Sequence, residues 1–136
     1  MEWHRMSLSP LRFAVVGLGH ISQVAVLPAF AHAKSSARLT ALVSDDPLKR
    51  RLLGRQYGIA HTYAYKDYEQ CLRSGEIDAV YIALPNSLHR EYAVRAARAG
   101  IHILCEKPLA ATAADCRKMV LAADRYRVKL MVAYRL

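Results

Sequence analysis

Phe13-Ala14-Val15-Val16-Gly17-Leu18-Gly19-His20-Ile21-Ser22 is the stretch on which the reading of this chain turns. Phe13 to Val16 show no polar alternation and stop at a glycine, as a short strand buried on both faces does. Ile21 to His32 reads as a helix, which Pro28 should kink or shorten. Between the two lies Gly17-Leu18-Gly19-His20-Ile21-Ser22. In a strand–turn–helix setting the first glycine makes the tight turn and the second lets a pyrophosphate approach the backbone. The helix N-terminus then offers unpaired N–H groups and a partial positive charge. Ser22 stands where the full fingerprint has its third glycine, and a purely structural turn is the competing reading. The position of the motif, in the first strand-to-helix turn, favours nucleotide binding.

Working outward, the same alternation of apolar run and helical pattern repeats to the end of the chain. Leu39 to Val43 reads as a second strand, closed by Ser44-Asp45-Asp46-Pro47. Asp46 can N-cap a helix that carries Pro47 in its first turn, with Gly54 and Gly58 marking a frayed end. His61 to Tyr65 is a weak third strand, and Asp67 to Arg73 a short helix ended by Gly75. Ala79 to Ala83 is a strand stopped by Pro85, and Ser87 to Ala99 a helix with Gly100 just past it. Ile101 to Cys105 is a strand closed by Glu106-Lys107-Pro108. Thr112 can cap a long helix whose Asp115 occupies the capping-box position. Val128 to Ala133 is the last strand. Six strands joined by crossover helices predict an α/β fold, a doubly wound parallel sheet of the Rossmann type. Residues 1–10 read as a tail in which only Trp3 has reason to dock, and residues 11–136 as one domain.

Composition bounds the rest. With 136 residues, 54% apolar and 23% charged, the chain matches a single globular domain with a core of its own. No apolar run reaches the ~18 residues a membrane span needs, and the first sixteen residues lack the apolar segment of a secretory signal. Cys71, Cys105 and Cys116 share no C-x-x-C spacing and leave one thiol unpaired, which points to a reducing cytoplasm and against a disulfide scaffold or metal site. The net charge of +9 favours an anionic partner. Its cations are dispersed along three helices, so solvated helix faces explain it better than a nucleic-acid surface.

Chemistry concentrates in three turns beyond the first. Ser44 and Asp45 lie where the second strand selects the adenosine ribose: an acid accepts from the 2′-hydroxyl, whereas a serine with cations favours a 2′-phosphate. Both are present, and Lys49 and Arg50 follow; a capped turn with a basic helix is the plainer reading. Ala83-Leu84-Pro85-Asn86-Ser87-Leu88-His89 and Glu106-Lys107-Pro108 leave the carboxyl ends of two strands, where open α/β sheets bind ligands. A lysine there could stabilise an alkoxide or relay a proton during hydride transfer. On spacing alone Glu106-Lys107 is equally a solvated turn, and His20 and His89 are equally scaffold or ligand contacts. Tyr63, Tyr65 and Tyr68 read as packing residues, and His4, His32, His61 and His102 as ordinary ones.

Taken together, Gly17-Leu18-Gly19-His20, Ala83-Leu84-Pro85-Asn86-Ser87-Leu88-His89, Cys105-Glu106-Lys107-Pro108 and Ala133-Tyr134-Arg135 closely resemble the cofactor domain of the glucose–fructose oxidoreductase / inositol dehydrogenase / MocA-like family. The resemblance covers residues 11–136. It implies a nicotinamide dinucleotide held by Gly17, Leu18, Gly19, His20 and Ile21 at the pyrophosphate and by Ser44, Asp45 and Lys49 at the adenosine ribose. Ala83, Leu84, Pro85, Asn86, His89, Glu106, Lys107 and Arg135 would follow the cofactor towards the nicotinamide, with Lys107 the catalytic residue. Leu42-Val43-Ser44 and Lys49 look like the NADP-selecting turn of the glucose–fructose oxidoreductase subgroup. Asp45 departs from that subgroup's glycine, so NADP is expected and NAD is the alternative. The family's second, α+β domain, which carries the sugar or polyol pocket and the sheet through which subunits associate, has no counterpart in these 136 residues. Truncation and a natural single-domain protein both fit the length. The competing functional class is a non-catalytic nucleotide-sensing module that works with a partner protein.

Overall fold

A computed structural model describes residues 9–134. Six parallel strands form one sheet: β1 (Leu11–Val16), β2 (Ala37–Val43), β3 (His61–Tyr63), β4 (Ala79–Ile82), β5 (His102–Glu106) and β6 (Leu130–Ala133). Their order, β3-β2-β1-β4-β5-β6, is the doubly wound arrangement expected of the alternating pattern. The chain moves outward from β1 in one direction, crosses back through α3 (Tyr68–Leu72), and continues from β4 in the other. The carboxyl ends of β1 and β4 therefore flank a crevice from which the two connections diverge.

Strand alternation sends neighbouring residues to opposite faces. Val15 and Leu42 pack with Leu18, Val26, Leu27 and Leu53 under the first helical segment, α1 (residues 20–32), and α2 (Pro47–Tyr57). Val16, Val43, Ile82 and Cys105 face the other way, against α3, α4 (His89–Arg98) and α5 (Ala113–Tyr126). Each fully buried valine or leucine adds roughly 1.5–3 kcal/mol of apolar transfer free energy. The α1 side of β4, β5 and β6 is barer. Tyr81 and Leu104 are half-buried there, and Met131, two strands from Tyr81 in the same row, is 68% exposed.

Several local expectations are corrected. Pro28 does not shorten α1; the segment widens ahead of it into a π-helix over Ser22–Val26, in which the Leu27 N–H donates to the Ser22 carbonyl. One α turn (Leu27–Ala29) and one 3-10 turn (Phe30–His32) follow. The wide turn re-spaces the carbonyls that a proline ring would otherwise meet, and Pro28 has no N–H to leave unpaired. Gly54 lies inside α2, buried where the chain returns along Ile59, and the helix ends at Gly58 rather than fraying from Gly54. β3 stops at Tyr63, and Tyr65 begins a 3-10 turn because its N–H is drawn to Asp45. A 3-10 turn over Asn86–Leu88 precedes α4. Asp46 and Thr112 cap α2 and α5 as expected, but Asp115 pairs with Arg90 at 3.1 Å instead of closing a capping box. Trp3 lies outside the described residues.

Candidate functional site

The crevice is built by hydrogen bonds that lock the turn after β1 between its neighbours. The Gly17 N–H donates to the Val43 carbonyl at 2.9 Å, and the Ala83 N–H to the Val16 carbonyl at 2.9 Å. Gly17 has φ +97°, a conformation glycine adopts without strain. Ser22, fully buried, donates from Oγ to the Gly17 carbonyl at 2.6 Å and so ties the helix start back to the turn. This explains a serine at the third fingerprint position: it fills the close strand–helix approach with a hydrogen bond. Leu18 is buried beneath the turn, while Gly19, His20 and Ile21 form an exposed lip. A Cβ placed on Gly19 would meet nothing within 4 Å, so the backbone there stands open to an approaching group.

At the end of β2 the groups are already partly committed. Ser44 is buried, its Oγ accepts from the Asp46 N–H at 3.2 Å, and its carbonyl accepts from the Arg50 guanidinium. The exposed Asp45 carboxylate accepts from the Tyr65 N–H at 2.7 Å. Asp46 caps α2 through the Leu48 and Lys49 N–H groups at 3.0 Å each. Lys49 is half-buried and has no carboxylate partner among the described residues.

Beyond β4 and β5, Pro85, Asn86, Lys107 and Pro108 are exposed, with Leu84 buried beneath them and Ala83 and Glu106 half-buried. The Lys107–Pro108 peptide is cis. His89 is placed differently from a ligand contact. The residue is 1% exposed, Nε2 lies 2.8 Å from the Leu84 carbonyl, and Nδ1 lies 2.9 and 3.1 Å from the Pro108 and Leu109 carbonyls. It braces the two loops from behind, so of the two roles open to it in the sequence the scaffold is the one the structure displays. Arg135 lies outside the described residues.

Glu106 and Lys107 border a cavity of about 640 Å³ whose walls include Phe13, Tyr81, Leu104 and Tyr134. The Tyr81 hydroxyl donates to Glu106 Oε1 at 2.5 Å. Burial, reinforced by that carboxylate, raises the Tyr81 pKa, so the phenol stays a donor at neutral pH. Burial also pushes the Cys105 thiol up to about 12, which removes it as a nucleophile. The sequence reading missed Tyr81, since one tyrosine in an apolar strand looks like packing. Its signal was the register that puts Tyr81 opposite Leu104, two residues before Glu106 on the same face.

Residues 11–134 match the Gfo/Idh/MocA family, described as an oxidoreductase family with an NAD-binding Rossmann fold. The D-xylose 1-dehydrogenase [NADP(+)] of Haloarcula marismortui is 34% identical over 138 residues, which span 99% of this chain and 38% of that protein. The aldose-aldose oxidoreductase from Caulobacter crescentus, solved with glycerol, superposes with a TM-score of 0.87 at 43% identity, over 92% of this chain and 38% of that one. The WlbA dehydrogenase from Bordetella pertussis, solved with NADH and UDP-GlcNAcA, gives 0.83 at 31% identity, over 91% and 37%. The chain thus spans little more than a third of the length of the relatives it matches. No helix among the described residues is long and apolar enough to cross a membrane. With an uninterrupted match from β1 through β6, the chain belongs to the Gfo/Idh/MocA oxidoreductase family and forms its NAD-binding Rossmann domain.

Proposed function

We propose that the chain binds NADP, with NAD as the weaker alternative, and serves as the cofactor half of an oxidoreductase acting on a sugar or polyol hydroxyl or its carbonyl. The observation that carries this reading is the Gly17–Gly19 turn, held open at the point where the strand order reverses. Gly17, Leu18, Gly19, His20 and Ile21 would present backbone N–H groups and the start of α1 to the pyrophosphate. Ser44 and Lys49 would meet the adenosine ribose and its phosphate, with Asp45 at their side. Ala83, Leu84, Pro85 and Asn86 would line the path towards Glu106 and Lys107. A bound nicotinamide dinucleotide supplies the hydride acceptor or donor. Lys107, exposed at the mouth of the cavity, would hold the reacting hydroxyl and stabilise the oxygen as negative charge develops on it. The substrate pocket itself would come from the further length that the relatives possess, so the 136-residue chain alone should show little sugar oxidation.

Calorimetric titration of the chain with NADP and NAD tests the reading. Saturable binding of either, lost in Gly19→Ala, supports it; no heat with either at millimolar concentration overturns it.

A further inference from the structure

Glu106 and Lys107 are sequence neighbours, carry opposite charge and border the same cavity, yet they form no ion pair. The Glu106 carboxylate is instead taken by Tyr81 on the adjacent strand. Resting on the role proposed above for Lys107, we propose that Tyr81 is a positioning residue: it holds the Glu106 carboxylate apart from Lys107 and leaves the ammonium free for the substrate hydroxyl.

The strand register sets up this arrangement. Tyr81 pairs with Leu104, so Tyr81, Leu104 and Glu106 share one face of the sheet. The phenol therefore needs no backbone movement to reach the carboxylate. An O–H···O⁻ bond of this length is charge-assisted and roughly twice as strong as a neutral one. A contact from the half-buried Glu106 to the exposed Lys107 is weak by comparison, because water screens the ammonium and two flexible chains must be ordered to make it. Burial of Tyr81 keeps its proton in place, and the competition for Glu106 is settled in favour of the tyrosine. Without the hydroxyl, Glu106 is left with Lys107, the only cation among the described residues lining the cavity, and an ammonium paired with a carboxylate has its N–H donors taken from the substrate and its nitrogen closed to acylation.

Trace acetylation of the chain at fixed neutral pH, read peptide by peptide in a mass spectrometer, measures this directly, because only the neutral amine reacts. Lys34, Lys66 and Lys129 serve as internal standards. Tyr81→Phe keeps the ring and removes the hydroxyl; Lys107 labelling relative to the standards should slow by about threefold. Glu106→Gln should label no slower than the parent chain, and Tyr81→Phe combined with Glu106→Gln should return to the parent rate. Unchanged labelling in Tyr81→Phe, or slowing that persists in the double variant, overturns the proposal. Glu106→Gln also stands alone if Tyr81→Phe folds poorly: slower labelling there would equally overturn it. The measurement uses no dinucleotide, so a failed titration counts against the proposed function and a failed labelling pattern against Tyr81.

Discussion

The carbonyl oxygen of Ala83 lies 2.5 Å from the point at which a Cβ on Gly17 would stand, and the Ala83 carbonyl carbon lies 3.0 Å from it. Backbone occupies that space, and it belongs to the strand end that forms the other wall of the crevice. Gly17→Ala must therefore push β4 away from β1 while also adopting a left-handed φ. A destabilisation of about 2–4 kcal/mol in urea denaturation is expected, with dinucleotide binding lost as a consequence. Gly19→Ala separates the two effects, since its added methyl meets no protein atom. Its stability should stay within about 0.5 kcal/mol of the parent, while affinity for the dinucleotide falls at least tenfold. Equal losses of stability in the two variants would show that Gly19 is also structural.

Asp45 is the sequence's argument against NADP, and its carboxylate accepts from the Tyr65 N–H. Asp45→Asn keeps an acceptor for that N–H and removes the charge. It should strengthen NADP binding several-fold with little change for NAD, as expected for one exposed charge worth up to about 1 kcal/mol. Lys49→Ala should do the reverse, weakening NADP more than NAD. Comparing the two cofactors by calorimetry in both variants checks the assignment; equal losses for Lys49→Ala would make Lys49 part of a general basic surface.

His89 holds the carbonyls of Leu84, Pro108 and Leu109 together across the gap between two loops. Removing the ring leaves these acceptors facing one another with no donor. His89→Ala should cost about 2–4 kcal/mol. His89→Leu, which restores most of the volume but none of the hydrogen bonds, should cost nearly as much. Chemical denaturation of both variants checks this, and a stable His89→Leu would show that the ring acts by filling space.

Arg12 and Asp78 tie the start of β1 to the residue before β4. Asp78 Oδ2 accepts from the Arg12 backbone N–H at 2.8 Å and from Nε at 3.1 Å, and Oδ1 accepts from Nη2 at 3.0 Å. The side-chain hydrogen bonds from Arg12, opposed in part by burial, hold the Asp78 carboxyl below its ordinary value. A carboxylate with a lowered folded pKa stabilises the fold above its unfolded pKa, and that contribution is lost as pH falls through the folded value. Asp78→Asn should therefore melt lower than the parent chain at pH 7 and at pH 5. The gap should close progressively below about pH 4. A gap that is independent of pH would assign the effect to hydrogen-bond geometry rather than to charge.

The fold was legible because its punctuation is local. Gly17, Pro47, Gly58, Gly75 and Gly100 mark where the chain leaves or starts a regular element, and the apolar runs between them need only be counted. What escaped was whatever depends on residues distant in sequence. Pro28 announces a disturbance, but that the segment widens rather than shortens goes together with tertiary contacts, Phe30 on Phe13 and Leu27 in the core, which the sequence does not express. Tyr65 leaves the strand because a carboxylate twenty residues earlier captures its N–H. His89 and Tyr81 take their meaning from loops and strands paired only in the folded sheet, which no spacing in the sequence expresses.

The bare side of β4, β5 and β6 has a colloidal consequence. A chain of net charge +9 repels its copies, and at about 0.01 M ionic strength that repulsion reaches roughly 30 Å, far enough to keep two such apolar faces from meeting. At about 0.15 M the reach shrinks to roughly 8 Å, and Met131 and Leu104 can then find their counterparts on another molecule. Added salt, which usually quiets basic proteins, would here promote self-association, and the domain handled by itself should keep best in dilute buffer.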